Sequence, residues 1–164
     1  MKQFAVFAIL AVSLLPGVGM AGDVSAESRD IVGTWEWLSV DNTAPDGVTM
    51  QPFGPKPGGY LSFDSKGRFV WLITRPGRAK FVSGRRDQGT AEENKATVQG
   101  SLAYCGAYAI SGDTLILKIE ASTYPNEEGA EQKRTFALNG DELSWRNPMV
   151  STGASGVARL RRMH

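Results

Sequence analysis

The chain has 164 residues, with 18 Lys and Arg against 17 Asp and Glu, one Cys and one His. So even a balance provides no global attraction to nucleic acid or to an acidic membrane. With Cys105 the only thiol and His164 at the end of the chain, an internal disulfide, a zinc ligand set and a Ser–His–acid or Cys–His pair are all excluded from the body of the domain.

In chain order, Lys2 precedes an apolar run from Phe4 to Leu15 that is broken only by Ser13, and Pro16 and Gly17 end it. A short basic start followed by an apolar run too short to span a bilayer is the layout of a secretory signal peptide. Small residues at Gly19 and Ala21, and at Val24 and Ala26, suit cleavage after Ala21 or after Ala26. Residues 1–26 are therefore expected to be signal and leader, and residues 27–164 one secreted or periplasmic domain with no stable membrane anchor. Roughly 140 residues are enough to bury a real core.

From Ile31 the chain alternates through Trp35, Glu36 and Trp37, the pattern of a half-buried strand. The stretch 41–57 is rich in Pro, Gly, Asp and Asn and is expected to be a long loop. Residues 60–64 and 68–74 form a hairpin around Ser65-Lys66-Gly67, with Gly67 in the position that needs a positive φ. Thr90 and Glu93 have the spacing of a capping box, which predicts one helix of roughly ten residues ending near Gly100. Strands follow at 103–111, 114–123, 133–138, 142–148 and 156–162, with Ser111-Gly112-Asp113 and Asn139-Gly140-Asp141 as turns. About eight short strands in hairpin order with one inserted helix predict an all-β fold, an antiparallel up-and-down barrel, with a β-sandwich as the alternative. Cys105, between Tyr104 and Gly106, is expected to be buried and inert.

Several segments together resemble a known family. Gly33-Thr34-Trp35 is similar to the Gly-x-Trp opening of lipocalins. Phe53-Gly54-Pro55, Gly59-Tyr60-Leu61, Arg75-Pro76-Gly77-Arg78, Gly89-Thr90-Ala91-Glu92-Glu93 and Tyr104-Cys105-Gly106-Ala107-Tyr108 resemble, in order, the bacterial and fungal lipocalin-like domain family. Ser122-Thr123-Tyr124-Pro125-Asn126 and Gln132-Lys133-Arg134 continue the likeness. The resemblance implies a lipocalin-like barrel with a pocket for a small, partly apolar molecule. It also implies an Arg late in the chain stacked on the opening Trp, a role open to Arg134 or Arg159. Related barrels include carriers and cofactor-free cyclases or isomerases, so the fold alone does not assign the function.

Strand parity selects the candidate ligand-binding residues. Arg134 shares a face with Phe136 and Leu138, so its guanidinium needs a partner; Glu120 and the ring of Trp35 are candidates. Arg75 continues the parity of Phe69, Trp71 and Ile73 and is expected to face the ligand. Tyr60, Tyr108 and Tyr124 each join an apolar ring to a polar tip, and Trp71 is a wall or core residue. These residues suit a binding protein for a small hydrophobic or amphipathic molecule, working without cofactor or metal. A cofactor-free isomerase or cyclase using Glu120 with Tyr108 is the alternative, and a filled barrel acting through its surface is a third reading.

Overall fold

A computed structural model describes residues 31–150 and 153–164. The expected signal peptide and both cleavage positions lie outside the described residues.

The strands are β1 Gly33–Thr43, β2 Thr49–Met50, β3 Tyr60–Phe63, β4 Arg68–Thr74, β5 Ser101–Ser111, β6 Thr114–Ser122, β7 Glu131–Asn139, β8 Glu142–Asn147 and β9 Ser155–Arg162. The helix α1, Ala91–Gln99, precedes β5, and a 3-10 turn, Pro125–Glu127, joins β6 to β7. From β3 to β9 each strand pairs antiparallel with the next in the chain, and β1 pairs with β3. The sheet then closes on itself, because β1 also pairs with β9 from Trp35↔Arg162 to Thr43↔Ser155. This closure makes an eight-stranded barrel with the two-residue β2 hydrogen-bonded at the end of β1, and it excludes the sandwich. The first strand therefore reaches further into the expected loop than its composition suggested.

Local chemistry explains the connections. Gly67 takes φ +79° in the β3–β4 hairpin, where any side chain would be strained. Thr90 caps α1 as its spacing predicts: its hydroxyl accepts from the Glu93 backbone N–H while the Glu93 carboxylate accepts from the Thr90 N–H. The helix buries none of its residues, so it lies against the barrel without extending the core.

Alternate side chains of every long strand point inward. Trp35, Leu61, Phe63, Phe69, Leu115, Leu117, Ile119, Leu143 and Leu160 are essentially inaccessible and form the core, with Trp35 at the end of the barrel where β1 begins. That end is closed by Arg162, whose guanidinium lies 4.2 Å from the centre of the Trp35 ring and donates to the Val32 carbonyl at 2.7 Å. The late arginine on the opening tryptophan is thus Arg162, and neither Arg134 nor Arg159 takes that place. Strand register decides the matter, because Trp35 is directly opposite Arg162. Cys105 is only half-buried, since it points away from the core between inward-facing Tyr104 and Gly106.

Candidate functional site

The other end of the barrel is not filled. It holds a cavity of about 590 Å³, a volume in the range of small-molecule sites. Trp71 of β4, Tyr104 of β5 and Trp145 of β8 form an aromatic wall. Trp71 stacks on Tyr104 at 4.9 Å and meets Trp145 at 5.3 Å. Beneath them Trp37 contacts Trp71 at 4.5 Å and is held by donation of its indole N–H to the Leu72 carbonyl at 2.9 Å. The wall is therefore packed from behind and does not depend on a ligand for its shape. The mouth is framed by Phe53, the end of α1 at Val98, and Tyr124; Val98 and Tyr124 are exposed, so the cavity reaches solvent there.

A buried cation, with the carboxyl of Glu127 on the same lining, stands in this largely apolar space. Arg134 of β7 is only 4% exposed. Its guanidinium lies 4.6 Å from the centre of the Trp71 ring and 5.5 Å from that of Trp145. Its Nη2 donates to the Tyr104 hydroxyl at 2.9 Å and to the Gln132 side-chain carbonyl. Its Nε and Nη1 are buried without a protein acceptor. The Trp71 Nε1, Asn42 Oδ1 and Glu127 Oε2 atoms are also buried without a protein partner. All of these residues line the cavity, so among the described residues every such unsatisfied side-chain atom is gathered at one place. Buried polar groups ordinarily find a partner, and a cluster left without one needs water or a ligand.

Burial also shifts the titrating groups. It pushes the Tyr104 hydroxyl up to about 12, and the neighbouring Arg134 charge and hydrogen bond only partly oppose it. The phenol is therefore neutral and its proton is available for donation. Burial likewise pushes the Glu127 carboxyl above its usual range, against the opposing influence of Arg134 and Gln132.

Of the residues selected from sequence, Trp71, Tyr124 and Arg134 meet at the cavity. The others stand elsewhere. Trp35 lies at the closed base, donating to the Ile31 carbonyl at 3.0 Å. Tyr108 packs on Phe63 and donates its hydroxyl to the Asp64 carbonyl at 2.8 Å, an internal but structural place. Tyr60 is 52% exposed, because Leu61 and Phe63 take the inward positions of its strand.

Two expectations about charge are corrected. Glu120 is not the partner of Arg134: it lies outside the barrel and binds Arg68 through both oxygens, at 2.5 and 2.6 Å. Leu115, Leu117 and Ile119 hold the inward parity, and the register slips between Cys105 and Gly106 opposite Glu120. A catalytic pair of Glu120 with Tyr108 inside the barrel is thereby removed. Arg75 does not face the cavity either. It follows the last residue of β4, where strand parity lapses, and its Nε and Nη2 both donate to the Pro52 carbonyl, at 3.0 and 2.5 Å.

The site also contains residues that the sequence reading passed over. Tyr104 and Gln132 share strand parity with Tyr108 and Arg134, so the signal for them was present. Glu127 belongs to a 3-10 turn, for which no periodicity exists.

The sequence from 32 to 160 matches the model of the lipocalin-like domain. The chain belongs to the lipocalin-like domain family. It is similar to the 4'-hydroxy-3'-methoxypropiophenone carrier protein ppsC of Aspergillus oryzae, with 32% identity over 91 residues that cover 49% of this chain and 82% of the relative. Among solved structures it is similar to a lipocalin-like protein of Bacteroides uniformis, with 13% identity and a TM-score of 0.45 over 82% of this chain and 99% of the other. It is also similar to secretory abundant heat soluble protein 4 of Ramazzottius varieornatus, with 17% identity and a TM-score of 0.40 over 83% and 96% of the two chains.

Proposed function

We propose that this protein is a carrier that binds a small hydrophobic or amphipathic molecule in the barrel cavity. The observation that carries the reading is the cavity itself: about 590 Å³, walled by aromatics that are packed from behind, in a barrel that could have been filled. The gathered unsatisfied polar atoms fit a site that orients its cargo at one end. The similarity to a protein named as the carrier of a phenolic ketone agrees with this size and character of cargo.

The test uses N-phenyl-1-naphthylamine, a neutral apolar probe that brightens when it leaves water. Saturable binding with one site per chain, abolished by Leu102→Trp on the cavity lining with circular dichroism unchanged, supports the carrier reading. Absence of saturable binding by the wild-type protein refutes it. We further propose that the carrier acts after export to the periplasm or medium. Intact mass of protein recovered from those fractions should show a chain beginning at Gly22 or Glu27; recovery of the full-length chain refutes export by this signal.

A further inference from the structure

We infer that the molecule held in this cavity is an anion, a flat apolar body carrying one carboxylate-like group, with that group against Arg134 and the body against Trp71 and Trp145. The inference rests on the carrier reading and adds to it the charge and the orientation of the cargo.

The starting point is the guanidinium of Arg134. An arginine side chain stays protonated at any ordinary pH. Here it is almost wholly buried, and among the described residues no carboxylate makes an ion pair with it. Both of its hydrogen-bond acceptors, the Tyr104 hydroxyl and the Gln132 amide oxygen, are neutral, and both are served by Nη2. Two of its three nitrogens are left without an acceptor, and so is the indole N–H of Trp71, over whose ring the guanidinium lies. Tyr104 adds a hydroxyl proton beside them. Three buried donors here, Nε and Nη1 of Arg134 and Nε1 of Trp71, thus stand against two buried unpartnered acceptors, Asn42 Oδ1 and Glu127 Oε2.

Glu127 is the nearest competitor for that charge. It makes no ion pair with Arg134, and burial raises its pKa against the opposing influence of the Arg134 charge and Gln132.

The choice between a neutral and a charged cargo then follows from desolvation. In the empty cavity water reaches only the small exposed part of Arg134. An apolar molecule entering the site expels that water, and a neutral one leaves a buried, uncompensated cation behind. An oxyanion against the guanidinium restores the charge balance, while its ring system takes the place of water along the aromatic wall. The same protein surface therefore favours an aromatic acid over its neutral analogue of equal size.

The test compares 2-naphthoate, 2-naphthamide and 2-methylnaphthalene by displacement of N-phenyl-1-naphthylamine at neutral pH. The acid is expected to bind about tenfold or more tightly than the amide, as one charge-assisted contact would give. Arg134→Met should bring the acid to the level of the amide, each affinity being worked out from the probe affinity measured on that same variant, with the fold checked by circular dichroism. Glu127→Gln, which removes the nearest carboxylate and keeps Arg134, should retain or increase the preference for the acid. Equal affinity of acid and amide for the wild-type protein overturns the inference while probe binding keeps the carrier reading. Failure of probe and all three compounds to bind overturns both.

Discussion

Among the described residues two arginines lie on tryptophans, and replacing each by Met should separate a functional arginine from a structural one. Arg162 lies on Trp35, donates to Val32 O at 2.7 Å and pairs with Asp141 at 3.4 Å, while its side chain keeps 22% of its exposure. Its charge is thus partly solvated, and removal brings little relief of desolvation. Loss of the ring contact costs about 1 kcal/mol, the charged hydrogen bond about 1.5 kcal/mol, and the half-exposed ion pair about 0.5 kcal/mol. Arg162→Met should therefore destabilise the fold by about 3 kcal/mol, or about 9 °C in Tm for a domain of this size. Arg134→Met loses ring contacts and two hydrogen bonds of similar worth, but it also removes a buried charge whose desolvation costs several kcal/mol and with which, among the described residues, no carboxylate makes an ion pair. These contributions oppose each other, so the net change should stay within about 1.5 kcal/mol of zero. Urea denaturation followed by far-ultraviolet circular dichroism measures both on one scale. If Arg134→Met destabilises as much as Arg162→Met, Arg134 is part of the scaffold, and the argument that its charge awaits a ligand fails.

Two further outcomes follow from the same geometry. At Gly106 an added Cβ would stand 1.9 Å from the Lys118 carbonyl oxygen and 3.1 Å from the Glu120 amide nitrogen. Both are backbone atoms at the β5–β6 irregularity, so Gly106→Ala should cost about 2 kcal/mol or more; a Tm within about 2 °C of wild type would show that the ladder opens freely there. For Tyr104 the neutral phenol is favoured in the folded state, with its pKa pushed up to about 12 by burial. Above the unfolded value near 10 the unfolded chain loses this proton first, so stability is fully present below about pH 10 and falls by up to about 3 kcal/mol as pH rises towards 12. Tyr104→Phe should flatten that part of the stability curve, and an identical alkaline slope in both proteins would show that Tyr104 does not titrate in this way.

The barrel was legible where local rules suffice. The turn at Ser65-Lys66-Gly67, the capping box at Thr90 and Glu93, and the inward parity of Phe69, Trp71, Ile73 and Arg134 are all present in the structure. Closure was harder to read, because it depends on the pairing of Trp35 with Arg162, two residues from opposite ends of the described chain. The same distance hid the arginine of the base. Parity located Arg134 correctly but said nothing of its partners, and charge complementarity then suggested Glu120, although the leucines and isoleucine of that strand already placed Glu120 outside. Arg75 failed for a different reason: past the end of a strand the side-chain direction is set by whichever acceptor is nearest, here Pro52 from the long loop.

What could not be read from any single strand is the segregation of the interior. At one end Trp35, Phe63 and Phe69 fill the space, and Arg162 closes it with satisfied bonds. At the other, Asn42, Trp71, Glu127 and Arg134 contribute unsatisfied polar atoms from β1, β4, the 3-10 turn and β7 to one cavity. A fold selected for stability alone would scatter or remove such atoms, since each costs about 1–3 kcal/mol when left unpaired. Their convergence from four separate elements is difficult to produce by packing accident, and the filled end shows that this chain is able to do without them. The cost is therefore confined to the place where a bound molecule can offset it, and this argues for a binding site more strongly than cavity volume does.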